Sequence, residues 1–380
     1  MNPIIGYNSV YYFDREYSTI FPSIKHMNDV RLFGGLFYLY ARNMSINDRT
    51  NTIKLPLKTT VLPNCILPKF EILNLNFEEI ANKRARELMD HAVATQRKIA
   101  VMWSGGVDST LIVVSLLKNC TKEEIQNHCV ILLSHDSIIE NPHFYDKHIL
   151  SNFKTLLPAN SFTHIIGNDN YFYVTGEGND QLFSSMFVTE AYKVYYNDRQ
   201  AAFETISDDK MIPFIQHRTK FNEADTVKVY NILTKLNNVA PIKIDTPYKF
   251  FYWSNMALKW QNVYIRSILF SNPINRATLK LEENYTTFFH NDEFQLWSLN
   301  MVHKYGQIIK DDDNSSYKEE CKQIIFDFDG NSDYRANKNK YGSFGKVIMS
   351  KHAANFITGE LEFINHLDFM EAYNPDNDFV

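Results

Sequence analysis

An α/β fold with a doubly wound parallel sheet is predicted by three features of the sequence. The first is a short apolar run, Lys98–Trp103 (KIAVMW), that reaches a glycine turn and then a helical pattern. The second is the recurrence of such runs at Cys129–Leu133 and Tyr171–Thr175. The third is that these runs are apolar throughout instead of alternating, as strands covered on both faces are. Strand, helix and strand in alternation then favour parallel pairing through crossovers.

The elements follow in order. Residues 1–75 are rich in aromatics and short alternating runs, of which Val30–Tyr40 and Asn51–Leu62 read as strands. Pro56 and Pro63 place the second of these at a sheet edge. This stretch carries no nucleophile paired with a base and no glycine loop before a helix, so it reads as a small β-rich appendage. From Asn76 the texture changes. Phe77, Ile80, Ala81, Ala85, Leu88, Met89 and Ala92 recur at helical spacing, predicting a helix over Phe77–Arg97. Asp108–Asn119 predicts a second helix, carrying Leu111, Ile112, Val114, Ser115 and Leu117. After Leu182 the pattern is mainly helical and aromatic to about Lys310, giving a helical C-terminal part. The main domain is expected to span residues 76–372, and residues 373–380, with their Pro and Asp, to form a flexible tail.

Composition narrows the class of protein. The 380 residues are 44% hydrophobic and 14% aromatic, enough for a sizeable core. Lys and Arg number 39 against 44 Asp and Glu, a net charge of -5, which speaks against nucleic acid as a general partner. No apolar run suits a membrane span, and Met1, Asn2, Pro3 and Ile4 do not begin a secretory signal, so a cytoplasmic protein without a membrane partner is expected. Cys65, Cys120, Cys129 and Cys321 form no C-x-x-C pair and read as packing residues. His128, His135, His143 and His148 lack the spacing of a helical metal site and read as ordinary polar residues. Asp311–Asp313 reads as a solvated turn, and the aromatic cluster Phe250–Trp260 as core. Asp327–Asn331 echoes a calcium loop, but its glycine is misplaced and Lys338 stands where the bidentate glutamate belongs.

The residues with the clearest chemistry are Ser104-Gly105-Gly106-Val107-Asp108-Ser109, between the first apolar strand and its helix. Two residues without Cβ atoms let backbone N–H groups approach a phosphate chain, and the helix behind adds positive partial charge at its N-terminus. Ser104 and Ser109 supply hydroxyls, and an Asp108 beside polyphosphate implies an intervening Mg²⁺.

This hexapeptide resembles the SGGxDS signature of the PP-loop ATP pyrophosphatases, matching every specified position. A second segment, Val174-Thr175-Gly176-Glu177-Gly178-Asn179-Asp180-Gln181-Leu182-Phe183, resembles the SGEGxDELF motif of asparagine synthetase C-terminal domains. A third, Tyr334–Phe344, resembles the R-x-K-x-G-F region of that family, with Lys340 in the better register and Lys338 second. The resemblance covers about residues 77–350 and implies the adenine nucleotide α-hydrolase-like sheet. It also implies cleavage of ATP between its α and β phosphates, transfer of AMP to a carboxylate, and attack by ammonia or an amine. The implied roles are nucleotide binding by Ser104, Gly105, Gly106, Asp108, Ser109, Leu132 and Gly176, with adenine around Leu132–Ser134 and Thr175–Gly176. Asp108 and Asp180 would hold Mg²⁺, Glu177 would take a proton from the amine, and Lys340 would stabilise charge on the α-phosphate.

The sequence departs from that family in three places. The roughly 75 residues before the synthetase-like part are too few for the glutaminase domain, so nitrogen is expected from ammonia, a substrate amine or a separate glutaminase. The family's E-x-R-x-P-F-L-D segment aligns with Asn284–Asn291, which lacks its arginine and acids; Asp292 and Glu293 follow one residue later. Gln181 replaces a glutamate, and Ser184-Ser185 a glycine pair. Two other readings stay open at this point: a PP-loop enzyme modifying a nucleobase or tRNA, and an ATP-binding scaffold that has lost catalysis.

Overall fold

A computed structural model describes residues 48–53, 65–156, 169–183, 187–265, 281–311 and 317–337, together with the two-residue strands Ser9–Val10, Thr60–Val61, Phe356–Ile357 and Phe363–Ile364. The chain is α/β and forms two compact units. One gathers residues 1–73, 180–269 and 292–317, and the other residues 74–179, 270–291 and 318–380.

The second unit holds a five-stranded, all-parallel sheet. Its strands are β1 (Lys98–Met102), β2 (Cys129–Leu132), β3 (Lys154–Leu156), β4 (Tyr171–Thr175) and β5 (Tyr285–Thr287), in the order β3-β2-β1-β4-β5. Ile99 of β1 lies opposite Cys129 of β2 on one side and Phe172 of β4 on the other. All residues of β2 and β4 are buried, as their unbroken apolar sequences require. The predicted strands at 98–103, 129–133 and 171–175 are thus present, the first two ending one residue early.

The helices of this unit are numbered in chain order. In α1 (Phe77–Thr95) the buried residues are Phe77, Ile80, Ala81, Ala85, Leu88, Met89 and Ala92, the stripe read from the sequence. Asn76 starts the helix with a capping box: its side chain accepts from the Glu79 N–H at 2.9 Å, and the Glu79 carboxylate accepts from the Asn76 N–H at 2.8 Å. The helix ends at Gln96, in the left-handed conformation at φ 55°, so Arg97 lies beyond it. Helix α2 (Val107–Asn119) is buried continuously from Ser109 to Leu116 because it packs against both α1 and another helix of the unit. α3 (Lys122–His128) and α4 (His135–Glu140) also start with capping boxes, from Thr121 and Ser134. After α4 the chain widens into a π-turn at Tyr145–Ile149. α5 (Glu319–Asp329) packs on α1 and α2, and α6 (Ser332–Asn337) follows Gly330, which caps α5 at φ 74°.

The first unit is helical over Phe187–Tyr196, Asp208–Thr219, Glu223–Asn237, Pro247–Ile265 and Asp292–Asp311. The Phe250–Trp260 aromatics are core, since Phe250, Phe251, Tyr252, Trp253 and Trp260 are all buried. Arg49 is also buried here, against expectation for a charged side chain. Its guanidinium donates to the carbonyls of Cys65, Met256 and Ile66 and to the Gln295 amide oxygen, and it lies over the Trp260 ring at 5.1 Å. Burial pushes its pKa down to about 10, against opposing pulls from Cys65 and Asp292.

One strand prediction needs correction. Asn51–Ile53, read as the start of a strand, is a turn. The Asp48 carboxylate captures the N–H groups of Thr50 at 2.8 Å and Ile53 at 2.6 Å, and Asn51 takes φ 57°. Only Thr60–Val61 of that run is a described strand, paired in parallel with Ser9–Val10. The strand predicted at Val30–Tyr40 and the tail at 373–380 lie outside the described residues. Among the described residues, no helix is long and apolar enough to cross a membrane.

Candidate functional site

The strand order places a switch point between β1 and β4. From β1 the chain moves outward through β2 to β3, then returns to the other side of β1 as β4. Loops leaving neighbouring strands at such a point diverge, and the crevice beyond their carboxyl ends is where open parallel sheets take ligands. Ser104–Ser109 follows β1, and Gly176–Asn179 follows β4.

The first loop is tightly wound. The Ser109 hydroxyl accepts from the Ser104 N–H at 3.0 Å, the two serine oxygens are 3.0 Å apart, and the Gly106 N–H donates to the Ser104 hydroxyl at 3.2 Å. Gly106 is the N-cap of α2, and Asp108 and Ser109 lie in its first turn. Gly105 needs its missing side chain on two counts: its φ is 76°, and a Cβ there would lie 2.4 Å from the Ser137 carbonyl oxygen. Tyr334 of α6 holds the loop from the other side, donating to the Gly105 carbonyl at 2.9 Å. Burial raises the Tyr334 phenol far above its ordinary range, so it remains a donor.

Gly176 lets the second loop come against the first. A Cβ at Gly176 would lie 3.0 Å from the Asp108 Cβ and 3.0 Å from the Ser109 nitrogen. Three residues on, fully buried Asn179 donates through Nδ2 to Asp108 Oδ1 at 2.6 Å, with the Cys321 sulfur at 3.4 Å from the same nitrogen. The Asn179 Oδ1 is buried without a hydrogen-bond partner. Lys318, at the start of α5, closes the arrangement: its ammonium reaches Asp108 Oδ1 at 2.7 Å and Oδ2 at 2.8 Å. The lysine side chain is 9% exposed and that of Asp108 29%, so the ammonium is shielded while the carboxylate keeps partial access to water.

No family model matches the chain, and no curated protein matches it. The site therefore rests on its own geometry.

Of the residues singled out in the sequence, Ser104, Gly105, Gly106, Asp108, Ser109 and Gly176 come together in the sheet-bearing unit. Leu132 is fully buried at the end of β2, and Trp103 donates its backbone N–H to the Leu132 carbonyl at 2.9 Å. Glu177 is half-buried in the turn after β4. Asp180 belongs to the helical unit, where its Oδ1 accepts from the Tyr317 hydroxyl at 3.0 Å. Lys340 and Lys338 lie outside the described residues. The segment aligned with E-x-R-x-P-F-L-D holds strand β5, and Arg84 of α1 donates to the Phe288 carbonyl at 3.3 Å.

The sequence reading missed Lys318, Asn179 and Tyr334. Lys318 sits in an unpatterned Ser-Tyr-Lys-Glu-Glu stretch, and nothing in its spacing links it to Asp108. Asn179 occupies the variable position of its motif, so its role was not marked. As for metal, among the described residues no group of three His, Cys, Asp or Glu side chains is arranged to hold an ion. The oxygens of Asp108 are nevertheless suited to Mg²⁺, and a cation, the Lys318 ammonium, already rests on both of them. A single protein carboxylate with phosphates completing the sphere is a common arrangement for Mg²⁺.

Proposed function

We propose that this protein is an ATP-dependent, AMP-forming carbon–nitrogen ligase related to the PP-loop pyrophosphatases and the asparagine synthetase C-terminal domain. One observation carries the reading: both motifs leave neighbouring parallel strands at the switch point, and they touch through Gly176 and Asn179 against Asp108. A glycine-rich loop opening a helix suits a polyphosphate at that position.

In this reading the backbone of Ser104–Ser109 and the start of α2 bind the phosphates, while Lys318 adds a cation beside them. Gly105 and Gly106 allow close approach, and Tyr334 keeps the Gly105 peptide fixed. A carboxylate oxygen of the substrate attacks the α-phosphorus, forming an O–P bond as the bond to the bridging oxygen of pyrophosphate breaks. The amine nitrogen then attacks the acyl carbon, AMP leaves, and the Glu177 carboxylate accepts the proton released by nitrogen. Mg²⁺, held by Asp108 and the phosphates, would offset the charge of the departing pyrophosphate. Leu132 and the neighbouring ends of β2 and β4 would line the side where adenine lies.

The test is ATP–pyrophosphate exchange across a panel of amino acids and small carboxylic acids, paired with AMP release in the presence of ammonium and amines. Substrate-dependent exchange that Asp108→Ala lowers at least a hundredfold is the expected result. Silence in both assays over a wide panel, with ATP still bound, would overturn it and leave a nucleotide-binding scaffold.

A further inference from the structure

Asp108 has little room for a metal while Lys318 is in place. Its Oδ1 takes hydrogen bonds from both the Asn179 amide, at 2.6 Å, and the Lys318 ammonium, at 2.7 Å. Its Oδ2 takes the same ammonium at 2.8 Å. A divalent ion bound about 2.1 Å from either oxygen would lie within about 5 Å of that ammonium. At that separation the two cations repel, with the buried ammonium on one side and a carboxylate only partly open to water on the other.

Lys318 also has reason to hold this position. It is the N-cap of α5, where the helix dipole disfavours a positive charge, and its backbone is left-handed at φ 57°. The Asp108 carboxylate offsets that charge. A lysine stem has four rotatable carbons and three donors, so the ammonium can move to a nearby phosphate without displacing α5.

We infer that Lys318 and a divalent cation exclude one another on Asp108, so that the metal enters only together with a polyphosphate that draws the ammonium away. Lys318 thereby sets the order of binding: nucleotide and metal arrive as one, and the metal alone is refused. The nucleotide half of this statement rests on the proposed function; the exclusion at Asp108 does not.

The experiment is a Mn²⁺ titration of the full chain without nucleotide, read by electron paramagnetic resonance. Wild type and Lys318→Arg are expected to bind no Mn²⁺ at Asp108 in the range where Lys318→Gln binds at least tenfold more tightly, and the gain should vanish in Lys318→Gln/Asp108→Asn. Adding a non-hydrolysable ATP analogue should bring Mn²⁺ to the wild type. Circular dichroism establishes that the variants fold. Should Lys318→Gln not fold, the wild-type titration decides by itself, binding only with the analogue supporting the exclusion. Tight binding of Mn²⁺ alone to Asp108 in wild type, or a folded Lys318→Gln with no gain, overturns it. These outcomes are read without turnover, so a ligase assay that fails does not mimic them.

Discussion

Two glycines in the candidate site bear different loads, and alanine should separate them. At Gly105 a methyl group meets the Ser137 carbonyl at 2.4 Å while the backbone stays at φ 76°, so Gly105→Ala combines overlap with strain. A loss of about 2–4 kcal/mol is expected in urea unfolding, from left-handed strain and overpacking together. Gly176 has no such backbone demand, and its contacts at 3.0 Å are tight but not prohibitive. Gly176→Ala should therefore lower the melting temperature only slightly while reducing substrate-dependent pyrophosphate exchange at least tenfold, because the added methyl pushes on Asp108 itself. An equal loss of stability in both variants would contradict this separation. Arg49 is the corresponding case in the helical unit. Arg49→Met leaves the carbonyls of Cys65, Met256 and Ile66 without their donor. It should destabilise the protein by about 3 kcal/mol, and Arg49→Lys should recover only part of that because an ammonium cannot reproduce the planar fork.

At the scale of elements, the π-turn decides what the histidines do. A spacing of five residues does not align side chains on an α-helix, so His143 and His148 looked unrelated in the sequence. The wider turn at Tyr145–Ile149 brings both to one oxygen of Asp329, at 3.4 and 2.8 Å, with the Lys147 ammonium at 3.3 Å. This joins the segment after α4 to the last residue of α5. It also fixes Asp327–Asn331 as a helix end instead of a calcium loop. Burial holds the His148 imidazole below its ordinary 6.5, outweighing the opposing pull of Asp329. The unfolded chain therefore binds the proton first as pH falls, so this contribution is full above 6.5 and is lost as pH drops towards the folded value. Thermal melts should show stability falling as pH drops below the ordinary 6.5, and His148→Asn should flatten that slope. A variant with an unchanged slope would remove His148 from the account.

The same scale shows what was legible beforehand. β1, β2, β4 and α1 were readable because each buries nearly everything on one side or both, and burial writes its period into the sequence. β3 and β5 were not, since Lys154–Leu156 and Tyr285–Thr287 are three residues long and owe their conformation to a neighbouring strand. In the site, the glycine loop could be read from local chemistry. Its partners Lys318, Asn179 and Tyr334 are brought in by tertiary packing, which leaves no local mark.

Across the whole molecule, neither unit is a continuous piece of chain, and the backbone passes between them five times. At two of these passages the residues on the sheet side, Asn179 and Lys318, both bond Asp108. Their immediate neighbours Asp180 and Tyr317 bond each other in the helical unit. Cutting the chain at one linker cannot isolate either unit. A fragment of residues 74–179 would carry β1–β4 without β5, α5 or α6. It should lack a cooperative unfolding transition and a fixed near-ultraviolet circular dichroism signal, whereas a cooperative, native-like fragment would show the remaining segments to be dispensable.

The position of β5 has a consequence for how this protein is made. β4 emerges from the ribosome with one edge ready to pair with β1, while the strand that covers its other edge is encoded far downstream. Roughly a hundred further residues must be added first, about 5–20 s of synthesis. For that interval Tyr171–Thr175 presents an open row of unpaired amide and carbonyl groups, flanked by mostly apolar side chains, to the cell. Slowing translation before Tyr285 would lengthen that exposure, and the yield of soluble protein should fall with it.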